Sequence, residues 1–137
     1  MRTTLRKAIC ERAGDCCEYC LMQTILSHDP FSAEHILPIS KGGLDNLSNL
    51  AWSCLGCNLY KATKTQVFDL LTGDLVPLYN PRTENWLTHF EWSENFSVIV
   101  GKTPTGRATI TCLKLNRIGL VNLRKILAAA GKHPPIL

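Results

Sequence analysis

Apolar and polar positions alternate in short stretches along this chain, and the pattern predicts many small elements rather than a few long ones. Residues 3–13 place Leu5, Ala8 and Ile9 on one face, with Thr3 or Thr4 as cap and Gly14 as stop, which predicts a short helix. Residues 21–32 are mixed, with a turn at His28-Asp29-Pro30. Residues 33–37 read as a strand closed by Pro38 and the Lys41-Gly42-Gly43 turn, and residues 46–52 as a loop running into a second strand. A helix is expected over about 58–65. From Val67 onward the pattern predicts strands at 75–79, 91–92 and 98–100, with Asn95 in the turn between the last two. Two helices follow. Residues 105–115 align Ala108, Cys112 and Leu115, and residues 118–130 align Leu120, Leu123, Leu127 and Ala130 ahead of Gly131 and Pro134-Pro135. No repeat, low-complexity run or long linker divides the chain, so one domain over 1–137 is expected, of the α+β class.

Composition narrows this picture. Hydrophobic residues make up 45% and charged residues 19%, which suits a packed domain rather than a disordered segment. The first fifteen residues hold four basic side chains and no apolar run, and no stretch approaches a bilayer-spanning length. A soluble, cytoplasmic protein with no membrane partner is therefore the expectation. The net charge of +4 hides an asymmetry: all eleven acidic residues lie at or before Glu94, whereas seven Lys/Arg follow it with no acid. That suggests polyanion contact through the C-terminal part, with Arg107, Arg117, Arg124 and Lys125 as candidates. A solvated basic face on ordinary helices is the plainer alternative.

Cysteine usage adds chemistry. Seven cysteines are many for 137 residues, and in a reducing compartment they read as metal ligands or reactive thiols rather than disulfides. Cys17/Cys20 and Cys54/Cys57 form two C-x-x-C knuckles, each able to deliver two thiolates to one tetrahedral Zn²⁺. Cys16 is an alternative to Cys17, but the C-x-x-C spacing favours Cys17. A dithiol redox pair needs only one C-x-x-C and a thioredoxin-like βαβ pattern, which is absent. Structural zinc contributes roughly 10–16 kcal/mol in small peptides, comparable to the stability of a whole domain. Four thiolates leave no open position, so chemistry is expected from the segment that the zinc frames. Cys10, Cys16 and Cys112 are left as small core residues.

The framed segment reads Glu34-His35-Ile36-Leu37-Pro38-Ile39-Ser40-Lys41-Gly42-Gly43, then Asn49, then Cys54-Leu55-Gly56-Cys57-Asn58 and Lys61. Over residues 17–64 this order resembles the HNH endonucleases, the ββα-metal nucleases: C-x-x-C, [D/E]-H-I-x-P-x-x-x-G-G, a central Asn, and C-x-x-C-N-x-x-K. Downstream, Asn80-Pro81-Arg82, His89-Phe90-Glu91-Trp92 and Thr105-Gly106-Arg107 look like a C-terminal extension found on some bacterial members. The resemblance implies a ββα-metal core over 17–64 with an extension over 65–137. It also implies DNA as substrate and phosphodiester hydrolysis giving 5′-phosphate and 3′-hydroxyl ends. His35 is then the general base, Asn49 a structural residue that orients it, and Asn58 a ligand to a catalytic Mg²⁺ or Mn²⁺. Glu34 stands where the family often has a metal-binding Asp, one methylene longer. Asn58 replaces the family's last His.

Those roles are chemically coherent, because a neutral imidazole deprotonates water while one hard cation steadies charge on the phosphate. Mg²⁺ takes one or two carboxylate or carbonyl oxygens and fills the remainder with water and phosphate. A tension arises from Glu34 and His35 being neighbours, since adjacent strand residues face opposite sides unless the strand ends, twists or bulges there. Lys61 and Lys64 are either phosphate contacts or a solvated helix face. Asn58 also fits as a plain N-cap, His28 and His89 as structural residues, and Trp86, Phe90 and Trp92 as core. The competing class is a non-catalytic zinc module that binds nucleic acid or protein with the same cysteine staple.

Overall fold

The computed structural model describes residues 3–137. Helix α1 (Thr3–Arg12) ends where Gly14 takes a left-handed φ of 67°. Ile9 points inward, and Arg12 donates to the carbonyls of Leu47 (2.8 Å) and Leu50 (2.5 Å), fixing α1 to the hairpin below it. That hairpin is β1 (Phe31–His35) against β2 (Leu50–Cys54), antiparallel, with Phe31 opposite Cys54 and His35 opposite Leu50. Every residue of β2 is buried, because α1 and the aromatic core cover its two sides. Helix α2 (Leu55–Lys61) follows without a linker. Hairpin and helix together make the expected ββα unit.

The extension consists of two small antiparallel pairs and three helices. Strands β3 (Gln66–Phe68) and β4 (Leu75–Pro77) pair first; helix α3 (Trp86–His89) then leads into β5 (Phe90–Trp92), which pairs with β6 (Ile99–Gly101). Helix α4 (Pro104–Leu113) starts at Thr103, whose hydroxyl accepts from the Gly106 amide at 3.0 Å, with Pro104 in the first turn. Gly106 is required there, since a Cβ would overlap the His89 carbonyl oxygen. Helix α5 (Ile118–Ala129) closes the chain. Tyr19, Tyr79, Trp86 and Phe90 interlock as tilted and edge-on aromatic pairs at the centre of one continuous core.

Several expectations need correction. Strand β1 begins and ends two residues earlier than expected, and α2 begins three residues earlier, immediately after the second knuckle's first cysteine. Strand β3 and helix α3 were not anticipated. Each spans only three or four residues, too short for a periodic signal. Cys16 is a core residue as expected, but Cys10 and Cys112 are only half-buried. Trp86 and Phe90 are buried, whereas Trp92 is half-buried beneath Arg124 and His133. Among the described residues, no helix is long and apolar enough to cross a membrane.

Candidate metal centre and catalytic cleft

Two turns bring the four knuckle cysteines together. The first is closed by the Leu21 amide donating to the Cys17 carbonyl and the Cys17 amide donating to that of Met22, both at 2.9 Å, with Leu21 in the left-handed region. The second is the β2–α2 junction itself, Cys54 preceding the helix and Cys57 lying in its first turn. The four Sγ atoms lie within 4.8 Å of one another and all four residues are buried. Burial pushes the Cys17 thiol well above its ordinary range. Four sulfur donors at that spacing fit a tetrahedral zinc.

Arg117 caps the cluster, with guanidinium nitrogens 3.4 Å from Cys54 Sγ and 3.7–3.8 Å from Cys57 Sγ. Burial opposes its charge, yet the neighbouring Cys57 and Cys54 sulfurs hold its pKa above the usual value. Its position beside the thiolates, over the Tyr60 ring, replaces the phosphate contact expected from sequence.

The second centre lies at the far end of the hairpin. From Phe31, opposite Cys54, to His35 is about 13 Å of strand. The zinc cluster therefore frames this end without touching it. An open cleft of about 290 Å³ is lined there by Glu34, His35, Ser40, Asn58 and Thr63, among others. His35 is the last residue of β1; Glu34 before it also contributes to the cleft lining, but its side chain is almost fully buried. Helix α2 supplies the opposite wall. Asn58 and Lys61 are three residues apart, hence on one helix face, and that face meets β1. Asn58 Nδ2 donates to Ser32 Oγ at 3.3 Å, which turns its amide oxygen away from that contact.

Glu34 and Lys61 are committed to each other. Lys61 Nζ lies 2.7 Å from Glu34 Oε1, and both side chains are almost fully buried. The approach is off the hydrogen-bonding direction, because the ammonium donates instead to the carbonyls of Ile36 (3.0 Å) and His35 (3.4 Å). Tyr19 Oη donates to Glu34 Oε2 at 2.7 Å. Burial raises the Glu34 pKa, with Lys61 and Tyr19 pulling it back. Lys61 is thus a buried anchor of the β1 backbone rather than a phosphate contact, and Glu34 carries an internal cation where a metal was expected.

Asn49 closes the loop between β1 and β2. Its Oδ1 accepts from the Leu37 amide at 2.8 Å; its Nδ2 donates to the carbonyls of Leu37 (2.9 Å) and Leu44 (3.0 Å). Within this loop Asp45 Oδ1 meets His35 Nε2. Sequence reasoning passed over Asp45, although it is the only carboxylate between His35 and the second knuckle.

The remaining basic candidates separate clearly. Arg124 is fully buried and donates to the carbonyls of Ser97 (3.2 Å) and Leu115 (2.7 Å) and to Asn116 Oδ1 (3.2 Å); it is a core residue, not a DNA contact. Arg107 forms a two-point pair with Asp69, at 2.9 and 3.2 Å. Lys64 and Lys125 are exposed, as are Lys41 and Lys114, which sequence reasoning did not single out. His89 is structural, bridging Glu84 (2.7 Å) and Thr103 (2.6 Å), and His28 is exposed.

No curated protein and no solved structure matches the chain. The HNH endonuclease family model, by contrast, matches residues 17–64, the segment that runs from the first zinc knuckle through the cleft to just past α2. This chain therefore carries an HNH endonuclease domain, built on a four-cysteine cluster of the kind that takes zinc.

Proposed function

We propose that the protein is a metal-dependent endonuclease that hydrolyses DNA phosphodiester bonds at the cleft between His35 and Asn58. The observation that supports this reading is that His35 and Asn58 line one open cleft, on a hairpin and helix pinned by the cysteine cluster. His35 takes a proton from water as the water oxygen bonds to phosphorus. The bond to the 3′ oxygen breaks on the opposite side and that oxygen takes a proton from solvent, leaving 5′-phosphate and 3′-hydroxyl ends. Asn49 holds the His35 loop through its three hydrogen bonds. Exposed Lys41 and Lys64 flank the cleft residues in sequence and are suited to neutralising backbone phosphates.

A Mg²⁺ or Mn²⁺ ion, when bound, supplies charge neutralisation at the phosphate and at the departing oxygen. Asn58 fits such an ion as a neutral oxygen donor. Glu34 fits only if the Lys61 ammonium withdraws, since the two charges already neutralise each other. That pairing is the one observation favouring the rival reading, a zinc module that binds nucleic acid without cutting it. A plasmid-nicking assay separates the two. Activity that requires added Mg²⁺ or Mn²⁺ and is lost in both His35→Ala and Asn58→Ala supports the nuclease; wild-type DNA binding with no metal-dependent cutting supports the rival.

A further inference from the structure

We propose that Asp45 is the positioning residue for His35, fixing which ring nitrogen serves as base; this rests on the reading of His35 as the general base. The two side chains meet through His35 Nε2 and Asp45 Oδ1. A carboxylate only accepts, so the contact places the imidazole proton on Nε2 and leaves the Nδ1 lone pair as the basic site. When water gives its proton to Nδ1, the ring becomes imidazolium beside an existing negative charge, and the proton later passes to solvent.

A His–Asp contact at a surface is ordinarily weak, because solvent screens it and both partners are free to move. This one is built. Asn49 clamps Leu37, two residues after His35, and Leu44, the residue before Asp45, through the same side-chain amide. The amides of Lys41 and Gly43 both donate to the Pro38 carbonyl at 2.9 Å, folding the intervening turn. Gly43 packs so tightly on Leu37 that a Cβ would overlap its carbonyl oxygen. The loop thus has little freedom to carry Asp45 elsewhere, and the central Asn gains a physical role, that of setting the distance between the base and its carboxylate. The Asp45 side chain is 67% exposed, so replacing it disturbs no packing.

The test uses the zinc-loaded full chain. Turnover and KM for plasmid nicking are measured for wild type, Asp45→Ala, Asp45→Asn, His35→Ala and the His35→Ala/Asp45→Ala double variant. The ¹⁵N shifts of the His35 ring are recorded alongside. The expected result is a fall in turnover of about 10–100-fold in Asp45→Ala with KM unchanged, the range typical of removing a carboxylate that orients a functional histidine. Asp45→Asn falls between Asp45→Ala and wild type, the double variant is no slower than His35→Ala, and the ring shifts move from one tautomer to a mixture. Wild-type turnover and unaltered ring shifts in Asp45→Ala, with His35→Ala inactive, overturn the role of Asp45 alone. Wild-type turnover in His35→Ala overturns the base assignment and this proposal with it.

Discussion

Removing the Lys61 ammonium without changing its bulk, as in Lys61→Met, isolates the buried pair that the cleft is built around. The substitution deletes an ion pair at 2.7 Å and donations to two carbonyls, and it strands the Glu34 carboxylate in a site 4% exposed. Breaking a buried pair from one side costs about 3–5 kcal/mol, because the surviving charge has neither water nor partner. For a chain of this length that corresponds to a melting temperature lower by about 10–20 °C. The loss depends on pH in a definite direction. Burial already holds the Glu34 pKa above its unfolded value, and Lys61 is the largest influence lowering it. Without Lys61 the folded value rises further. A carboxyl shifted upward contributes stability below its unfolded pKa and forfeits it as pH rises through the folded pKa. The deficit of Lys61→Met is therefore larger at about pH 7.5 than at about pH 5.5, and Glu34→Gln/Lys61→Met recovers most of it. Urea denaturation of the zinc-loaded proteins at both pH values measures this. A deficit below about 1 kcal/mol at the higher pH, within the range of ordinary surface changes, refutes the reasoning. So does a deficit that grows on acidification.

Other substitutions probe the remaining assignments. Cys54→Ser removes one of four clustered sulfurs and is expected to abolish stoichiometric zinc and most of the cooperative melt; one zinc per chain retained in that variant contradicts the ligand set. Arg124→Ala takes the arginine donor from the buried carbonyls of Ser97 and Leu115, while Asn116 Oδ1 keeps the Ile99 amide, so it is expected to cost about 2–5 kcal/mol in denaturant while leaving the salt dependence of DNA binding unchanged. Lys64→Ala, by contrast, should leave stability within about 0.5 kcal/mol and shrink the salt slope by about one. Asn49→Ala loses three hydrogen bonds around the His35 loop; nicking is expected to fall at least about tenfold with zinc content intact, and undiminished nicking excludes a role for Asn49 in holding the base.

What could be read from sequence was whatever rests on spacing. The cysteine knuckles lie at fixed offsets that a metal dictates, and the Gly-Gly turn and the capped helices carry local signals, so the ββα frame and the two C-terminal helices were legible. Side-chain partnership was not. Lys61 reads as a solvated helix lysine until β1 is known to place Glu34 against the same face of α2. Arg124 belongs to an unbroken basic tail in sequence, yet tertiary packing turns it inward to three backbone and amide acceptors. Arg117 likewise looks like a phosphate contact until the second knuckle is seen beneath it. Charge asymmetry counts charges without showing which of them water reaches. Asp45 escaped notice for the opposite reason: an acid in a glycine-rich turn is commonplace, and only the Asn49 clamp brings it to His35.

The most direct measurement is the single-turnover rate of duplex DNA cutting in saturating Mg²⁺ or Mn²⁺, compared between wild type and His35→Ala at equal zinc content. With His35 as general base, the rate in the variant is lower by about 10²–10⁴, the usual contribution of such a group, and DNA affinity is preserved. Rates equal within about threefold, below the smallest effect expected of a lost base, contradict that assignment.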